Sequence, residues 1–344
     1  MGGLWCQESH CATDDKPIVL EPGESLGDMS IVKALVVLPA ATVYRAERAG
    51  ERVLLKVAHE GAEARLQREA TFLLAVHKNK RPHPVLPTLL PAYTQADLET
   101  YPTGMAALRD RTVHYVVLAD AEGEPLRDIL LKDAQPWYRH AVWTVLSLAD
   151  AIALMHASGL LHLALSPEMV LLRKDRDGIP RPLLLDLGAA TPPEQTGTLW
   201  RPRFCFPAYR PPELLQPSGG RVGAFSDVYG LGLILHEMLA GSPTYPFRMR
   251  TETQITQDVL HASPQAVNRP DLELIPQIAE RATSKDDRRR QPDVVTLAGE
   301  LQATVPSVPK ERKGRRVNWG IVGIVSMALL AVVLLLLLAA TASG

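Results

Sequence analysis

The chain has 344 residues, of which 46% are apolar and 22% charged, with three cysteines and a net charge of −1. This excludes wholesale disorder, collagen-like repeats and a small disulfide-stapled scaffold, and it fits a reducing compartment. The balanced charge gives no global reason to expect a nucleic-acid partner.

Residues 1–24 show no periodic apolar pattern and read as a flexible tail. Cys6, His10 and Cys11 lie close together there, but tetrahedral zinc needs four ligands and no second pair is near. Ile31–Val37, Thr42–Ala46 and Val53–Val57 are rich in branched residues and separated by turn-like pieces, which predicts three strands. Ala62–His77 sets Leu66, Ala70, Leu73 and Leu74 at helical spacing, and Val113–Leu118 reads as a further strand. From Trp137 the pattern turns helical. Val142, Val145, Leu146, Ala149, Ile152 and Ala153 share one face of a helix that ends near His156. Another starts at Ser226, read as its N-cap, and passes through Val228, Leu231, Leu235 and Met238 to a stop at Gly241. The expectation is an α+β, bilobal architecture: a strand-rich lobe over about 25–118, then a helix-rich lobe over about 124–302.

Thr304–Pro309 is a proline-containing linker. Lys310–Arg316 sets five positive side chains against Glu311, a local +4 that leaves −5 on residues 1–309. Gly320–Ala340 holds 21 residues without a charge. As a helix it is ~31 Å long, about the thickness of a bilayer core, and it is apolar on every face. It reads as one transmembrane helix over 319–341 behind a basic juxtamembrane linker at 303–318. The basic flank places the bulk of the chain in the cytoplasm, with Trp319 at the boundary. The flank itself either draws anionic lipid or is a plain stop-transfer signal. A single-pass membrane protein with a C-terminal anchor is expected. The bilayer is its identifiable partner, alongside a protein partner of unknown identity.

The order of landmarks from about Ile31 to Leu301 resembles the protein-kinase fold. Val53–Lys56 (VLLK) looks like the third-strand motif whose lysine contacts nucleotide phosphate, and Glu69 stands at the place of its pairing glutamate. Tyr115–Leu118 and the residues after it resemble the hinge, where the Ala119 and Ala121 backbone would face adenine. His162–Met169 occupies the catalytic loop, and Asp186-Leu187-Gly188 the metal-binding Asp-Phe-Gly position. Phe206–Glu213 resembles the end of the activation segment. Asp227 opens the long central helix, and Arg290 matches the late arginine that pairs with Glu213. The resemblance gives His162, Leu187, Glu213, Asp227 and Arg290 structural roles, with His162, Leu187, Leu73 and Asp227 in a packed column between the lobes.

The departures bear directly on activity. The position of the proton-accepting aspartate is Ala164, that of the phosphate-steadying lysine is Ser166, and that of the second metal ligand is Met169. A methyl group accepts no proton, and a thioether is a poor ligand for a hard cation. The phosphate loop carries Val36, Leu38 and Ala41 where the family has glycine, with Pro39 among them. Bulky side chains obstruct the close approach of backbone to phosphate, and proline removes a donor. Leu163 replaces the arginine that would hold a phosphorylated loop. Lys56, Glu69 and Asp186 remain, and either hold a nucleotide and one magnesium through Asp186 or simply pair with one another. The expectation is a pseudokinase that acts as a signalling or scaffolding module, with ATP and Mg2+ bound weakly or not at all. The alternative is an atypical active Ser/Thr kinase in which a displaced acid such as Glu168 serves as base.

Overall fold

The branched runs near the N-terminus form an antiparallel sheet around one helix. The computed structural model describes residues 19–78, 82–216 and 219–311. In the N-terminal lobe, β1 (Ser25–Leu26), β2 (Met29–Val37), β3 (Ala41–Arg48) and β4 (Glu51–Ala58) precede helix α1 (Glu63–Lys78). β5 (Leu89–Leu90), β6 (Gly104–Leu108) and β7 (Arg111–Ala119) follow. The sheet runs β1-β2-β3-β4-β7-β5, with β6 also paired to β7. Gly104–Leu108 has no β-branched or aromatic residue, so no strand signal marks it; pairing with β7 recruits it.

β4 is covered on both faces. Val53, Leu55 and Val57 pack with Ile31, Tyr44 and Tyr115. Leu54 and Ala58 join the cluster that holds Leu66, Ala70 and Leu73 of α1. The two-residue period of a strand puts Lys56 on the latter face, so its ammonium points into the interior rather than to solvent.

The second lobe contains β8 (Glu124–Pro125), α2 (Leu126–Lys132), α3 (Tyr138–Ala157), β9 (Val170–Lys174), β10 (Pro180–Leu184), α4 (Thr196–Leu199), α5 (Ala224–Ala240), α6 (Glu252–His261), α7 (Leu274–Ala282) and α8 (Val294–Gln302). β10, β9 and β8 form a small antiparallel sheet. α3 and α5 are the core helices. α7 approaches α5 closely at Gly232, where an added Cβ would meet the Ala282 Cβ at 2.7 Å. Among the described residues, Tyr138–Ala157 is long and apolar enough to cross a membrane, but Val142, Val145, Leu148, Ile152 and Met155 are buried in the lobe core.

One boundary differs from the sequence reading. α5 starts at Ala224, so Ser226 lies inside the first turn. Its hydroxyl reaches back to accept from the Gly223 N–H at 3.3 Å. A serine serves a helix start from this third position as well as from the cap itself. The C-terminal stop is at Gly241, in the left-handed region at φ +77°. Cys6, His10, Cys11 and the apolar run at 320–340 lie outside the described residues.

Candidate functional site

Between the lobes, four charged side chains from three elements meet in a closed quartet. Lys56 Nζ from β4 lies 2.5 Å from Glu69 Oε2 and 2.9 Å from Asp186 Oδ2, and it also donates to the Leu185 carbonyl at 3.1 Å. The fourth member is Arg65, whose guanidinium lies 2.9 Å from Asp186 Oδ1. All four are buried. Arg65 and Glu69 are four residues apart, hence on one face of α1. Two cations balance two carboxylates, and only such pairing makes charges tolerable at this depth.

Both oxygens of Asp186 are engaged. Oδ1 accepts from Arg65 and from the Gly188 N–H at 2.7 Å, and Oδ2 takes Lys56. Burial alone would raise the Asp186 pKa, but Lys56 and Arg65 outweigh it and hold the carboxyl well below the usual range. Glu69 is pushed up by burial, against the pull of Lys56. Arg65 also donates to the Phe204 carbonyl at 3.2 Å, and Arg68 to the Ala189 carbonyl at 3.1 Å. Two arginines thus fasten α1 to the segment that follows Asp186.

The catalytic-loop positions are buried and nearly without polar function. Ala164 and Met169 belong to the apolar core. Ser166 Oγ, also buried, has no hydrogen-bond partner among the described residues. Glu168, the alternative base, is drawn away: its Oε1 accepts from Arg127 Nε at 2.7 Å. Arg127 bridges onward to Glu237, and Tyr209 donates to Glu237 at 2.5 Å.

The backbone of the loop is held firmly. Asp227 accepts from the His162 and Leu163 N–H groups at 2.9 and 2.7 Å, and contacts His156 Nε2 at 2.8 Å. His162 Nε2 donates to the Asp186 carbonyl at 2.9 Å, while Nδ1 accepts from the Ala164 N–H. That fixes a neutral tautomer, and burial lowers the His162 pKa. Gly188 sits at φ +62°, where a Cβ would lie 2.1 Å from the His162 carbonyl oxygen. Leu73 and Leu187 are buried in one cluster, and Glu213 meets Arg290 through two contacts of 2.9 Å.

The phosphate-loop positions form a tight turn. The Leu38 N–H donates to the Ala41 carbonyl at 2.8 Å, and the Leu38 side chain is buried in the large core cluster. His59 closes the turn: its backbone N–H donates to the Ala40 carbonyl, and its ring contacts the Pro39 carbonyl at 3.3 Å and Thr42 Oγ1 at 2.9 Å. At the hinge, the Ala119 N–H donates to the Thr88 carbonyl at 2.9 Å. Ala119, Asp120 and Ala121 line a cavity of about 280 Å³ together with residues 82–84, 86–88 and Leu183, and none of Lys56, Glu69 or Asp186 lines it.

The donor set around Asp186 does not fit magnesium. Both oxygens of the surviving metal-ligand candidate are committed to cations and an amide. The second ligand position is a buried thioether. Among the described residues, no group of three or more His, Cys, Asp or Glu side chains is placed to hold a metal ion.

Sequence reasoning did not single out Arg65, Arg127 or His59. An arginine four residues before Glu69 on an otherwise inward face was the available signal for the first. Partners of the other two lie too far along the chain for local spacing to show them.

A strand-rich lobe hinged to a helical lobe, with a strand lysine paired to a helix glutamate above an Asp-Leu-Gly turn, defines a protein-kinase-like domain. The protein kinase domain family matches residues 41–300, and the chain belongs to that family. Its relatives include bacterial serine/threonine kinases. Serine/threonine-protein kinase PknB of Mycolicibacterium smegmatis is 25% identical over 225 residues, which cover 62% of this chain and 35% of that protein. The DNA damage-responsive serine/threonine-protein kinase RqkA of Deinococcus radiodurans is 41% identical over 93 residues, 26% of this chain and 13% of that protein. The match therefore spans about a third or less of these curated relatives. A point mutant of the Mycobacterium tuberculosis PknI kinase domain aligns with a TM-score of 0.56 at 21% identity, covering 83% of this chain and 99% of that one. This is a likeness of fold.

Proposed function

We propose that the protein is a membrane-anchored pseudokinase: a cytoplasmic signalling or scaffolding module whose output is a protein contact rather than phosphoryl transfer. The observation that carries this reading is the closed state of Asp186, whose two oxygens are occupied by Lys56, Arg65 and the Gly188 amide. Ala164, Ser166 and Met169 support it by removing the base, the phosphate clamp and a metal ligand. If each role contributed only tenfold, their loss would cost ~10³ in rate, about 4 kcal/mol of barrier. Arg127 holds the alternative base Glu168 through its Oε1, and a carboxylate paired with a guanidinium is a weaker proton acceptor. Anchoring is supported by the uncharged run at 320–340 and its basic flank.

The test is radiolabelled ATP with the full chain in lipid nanodiscs and generic protein substrates, compared with Lys56→Ala. No turnover above that variant is expected. Turnover near ~1 s⁻¹, the low end for kinases, that disappears in Lys56→Ala overturns the reading. Ala164→Asp alone restores no activity, because Arg65, Leu38 and Pro39 remain in place. A thermal-shift titration with Mg·ATP moves the midpoint little or not at all. Carbonate extraction leaves the chain in the membrane; its release refutes the anchor.

A further inference from the structure

The segment between α7 and α8 places an amine among carboxylates that are already committed. Lys285 is partly buried, with its nitrogen against the Tyr245 hydroxyl and the Val259 carbonyl. Asp258 pairs with Arg250 at 2.6 Å, Asp287 with Arg221 at 3.0 Å, and both oxygens of Glu213 with Arg290 at 2.9 Å. Asp286 accepts from the Arg288 amide at 3.0 Å.

A second cation shares the same aromatic face. The Arg290 guanidinium lies 4.7 Å from the centroid of the Tyr229 ring, and Lys285 Nζ lies 6.0 Å from it. The Tyr245 ring, 4.2 Å from the nitrogen, favours the ammonium. Burial and the Arg290 charge outweigh it and push the Lys285 pKa down to about 7. A large share of this side chain is therefore free amine at neutral pH. Desolvation beside another cation is one way in which a lysine becomes a nucleophile.

Lys285 also lines a cavity of about 350 Å³, and Arg221 and Arg288 stand in the same wall. The Arg288 side chain is exposed. Guanidinium groups suit a phosphate, which they grip through paired N–H donors. An acyl phosphate joins an electrophilic carbon directly to such an anion, so one small molecule meets both the amine and the arginines.

We propose that Lys285 is an acylation site that takes its acyl group from a small acyl phosphate in this cavity, with Arg221 and Arg288 meeting the phosphate. The nitrogen lone pair attacks the acyl carbon and the amide C–N bond forms. The bond from that carbon to the phosphate oxygen breaks, and inorganic phosphate leaves with the proton the amine gives up.

The test incubates the full chain in lipid nanodiscs with isotopically labelled acetyl phosphate and reads acetylation at each lysine by mass spectrometry. Lys33, exposed on β2, is the reference. At pH 7 an ordinary lysine is free amine in roughly one copy in a few thousand, so Lys285 reacts at least about tenfold faster than the reference. Its rate levels off above about pH 8, where an ordinary lysine still gains about tenfold per unit. The excess over Lys33 is several-fold larger with acetyl phosphate than with uncharged N-acetoxysuccinimide. Arg288→Gln, accepted if its thermal midpoint matches wild type, removes that difference; if it does not fold, the wild-type measurements decide alone. Labelling of Lys285 no faster than Lys33, or a rate that keeps climbing tenfold per unit above pH 8, overturns the proposal. So does an equal excess with the two reagents, which would show that the phosphate is not recognised.

Discussion

The two sides of the loop at 162–169 have fared differently. On the side toward α5, every polar group is used: Asp227 takes two backbone N–H groups and His156, and His162 bridges to the Asp186 carbonyl. Leu163 is held at φ +60°, a conformation a leucine adopts only when its surroundings impose it. On the side toward the cleft, the side chains of Ala164, Ser166 and Met169 are buried and make no polar contact among the described residues. The loop shape is therefore maintained by hydrogen bonds internal to the fold. Chemistry can be lost from one side of a loop while its geometry is retained from the other. The quartet of Lys56, Arg65, Glu69 and Asp186 extends the same contrast, because its charges compensate each other and serve packing.

The comparison breaks first at Asp227. Asp227→Ala leaves two N–H groups and His156 without their acceptor. Uncompensated burial of this kind costs about 3–5 kcal/mol. For a domain of this size the thermal midpoint falls by about 10 °C, measured by calorimetry. A change within about 2 °C would show that the loop does not depend on that side.

Arg65→Met tests the cleft side. Lys56 and the Gly188 amide still hold Asp186, so a loss of about 2–3 kcal/mol is expected. The sharper readout is magnesium. With Oδ1 partly freed, millimolar Mg2+ raises the midpoint of the variant and leaves wild type unchanged. If both respond alike, Arg65 is not what closes the carboxylate.

Acid should act next. Burial lowers the pKa values of His59, His162 and His236 from the ordinary 6.5. The unfolded chain therefore binds protons that the fold refuses. Stability is fully present above about pH 6.5 and declines as pH falls, by up to ~1.4 kcal/mol per histidine for the first unit below. Midpoints measured at pH 7.5 and 5.5 check the sign. A higher midpoint at pH 5.5 would mean that these rings are protonated in the fold.

Ser166→Ala gives the smallest effect. Its buried hydroxyl has no partner among the described residues, so a methyl group there is neutral or stabilising by up to about 1 kcal/mol. A clear loss in a denaturant titration would reveal a bond that holds the cleft side of the loop as well.

The sequence by itself determined the family-level fold, because strand and helix periods, Gly241 and the order of Lys56, Glu69, His162, Asp186, Asp227 and Arg290 are local or fixed by spacing. It also determined which groups Ala164, Ser166 and Met169 do not supply, since a residue type states what its side chain can donate or accept. It left open which groups the surviving charges meet. Only the tertiary structure decided that, by bringing Arg65 to Asp186 across 121 positions, Arg127 to Glu168 across 41 and the His59 ring onto the Pro39 turn. A buried charge takes whichever counter-charge the packing delivers, and that choice is settled by the approach of distant elements, which no local period encodes.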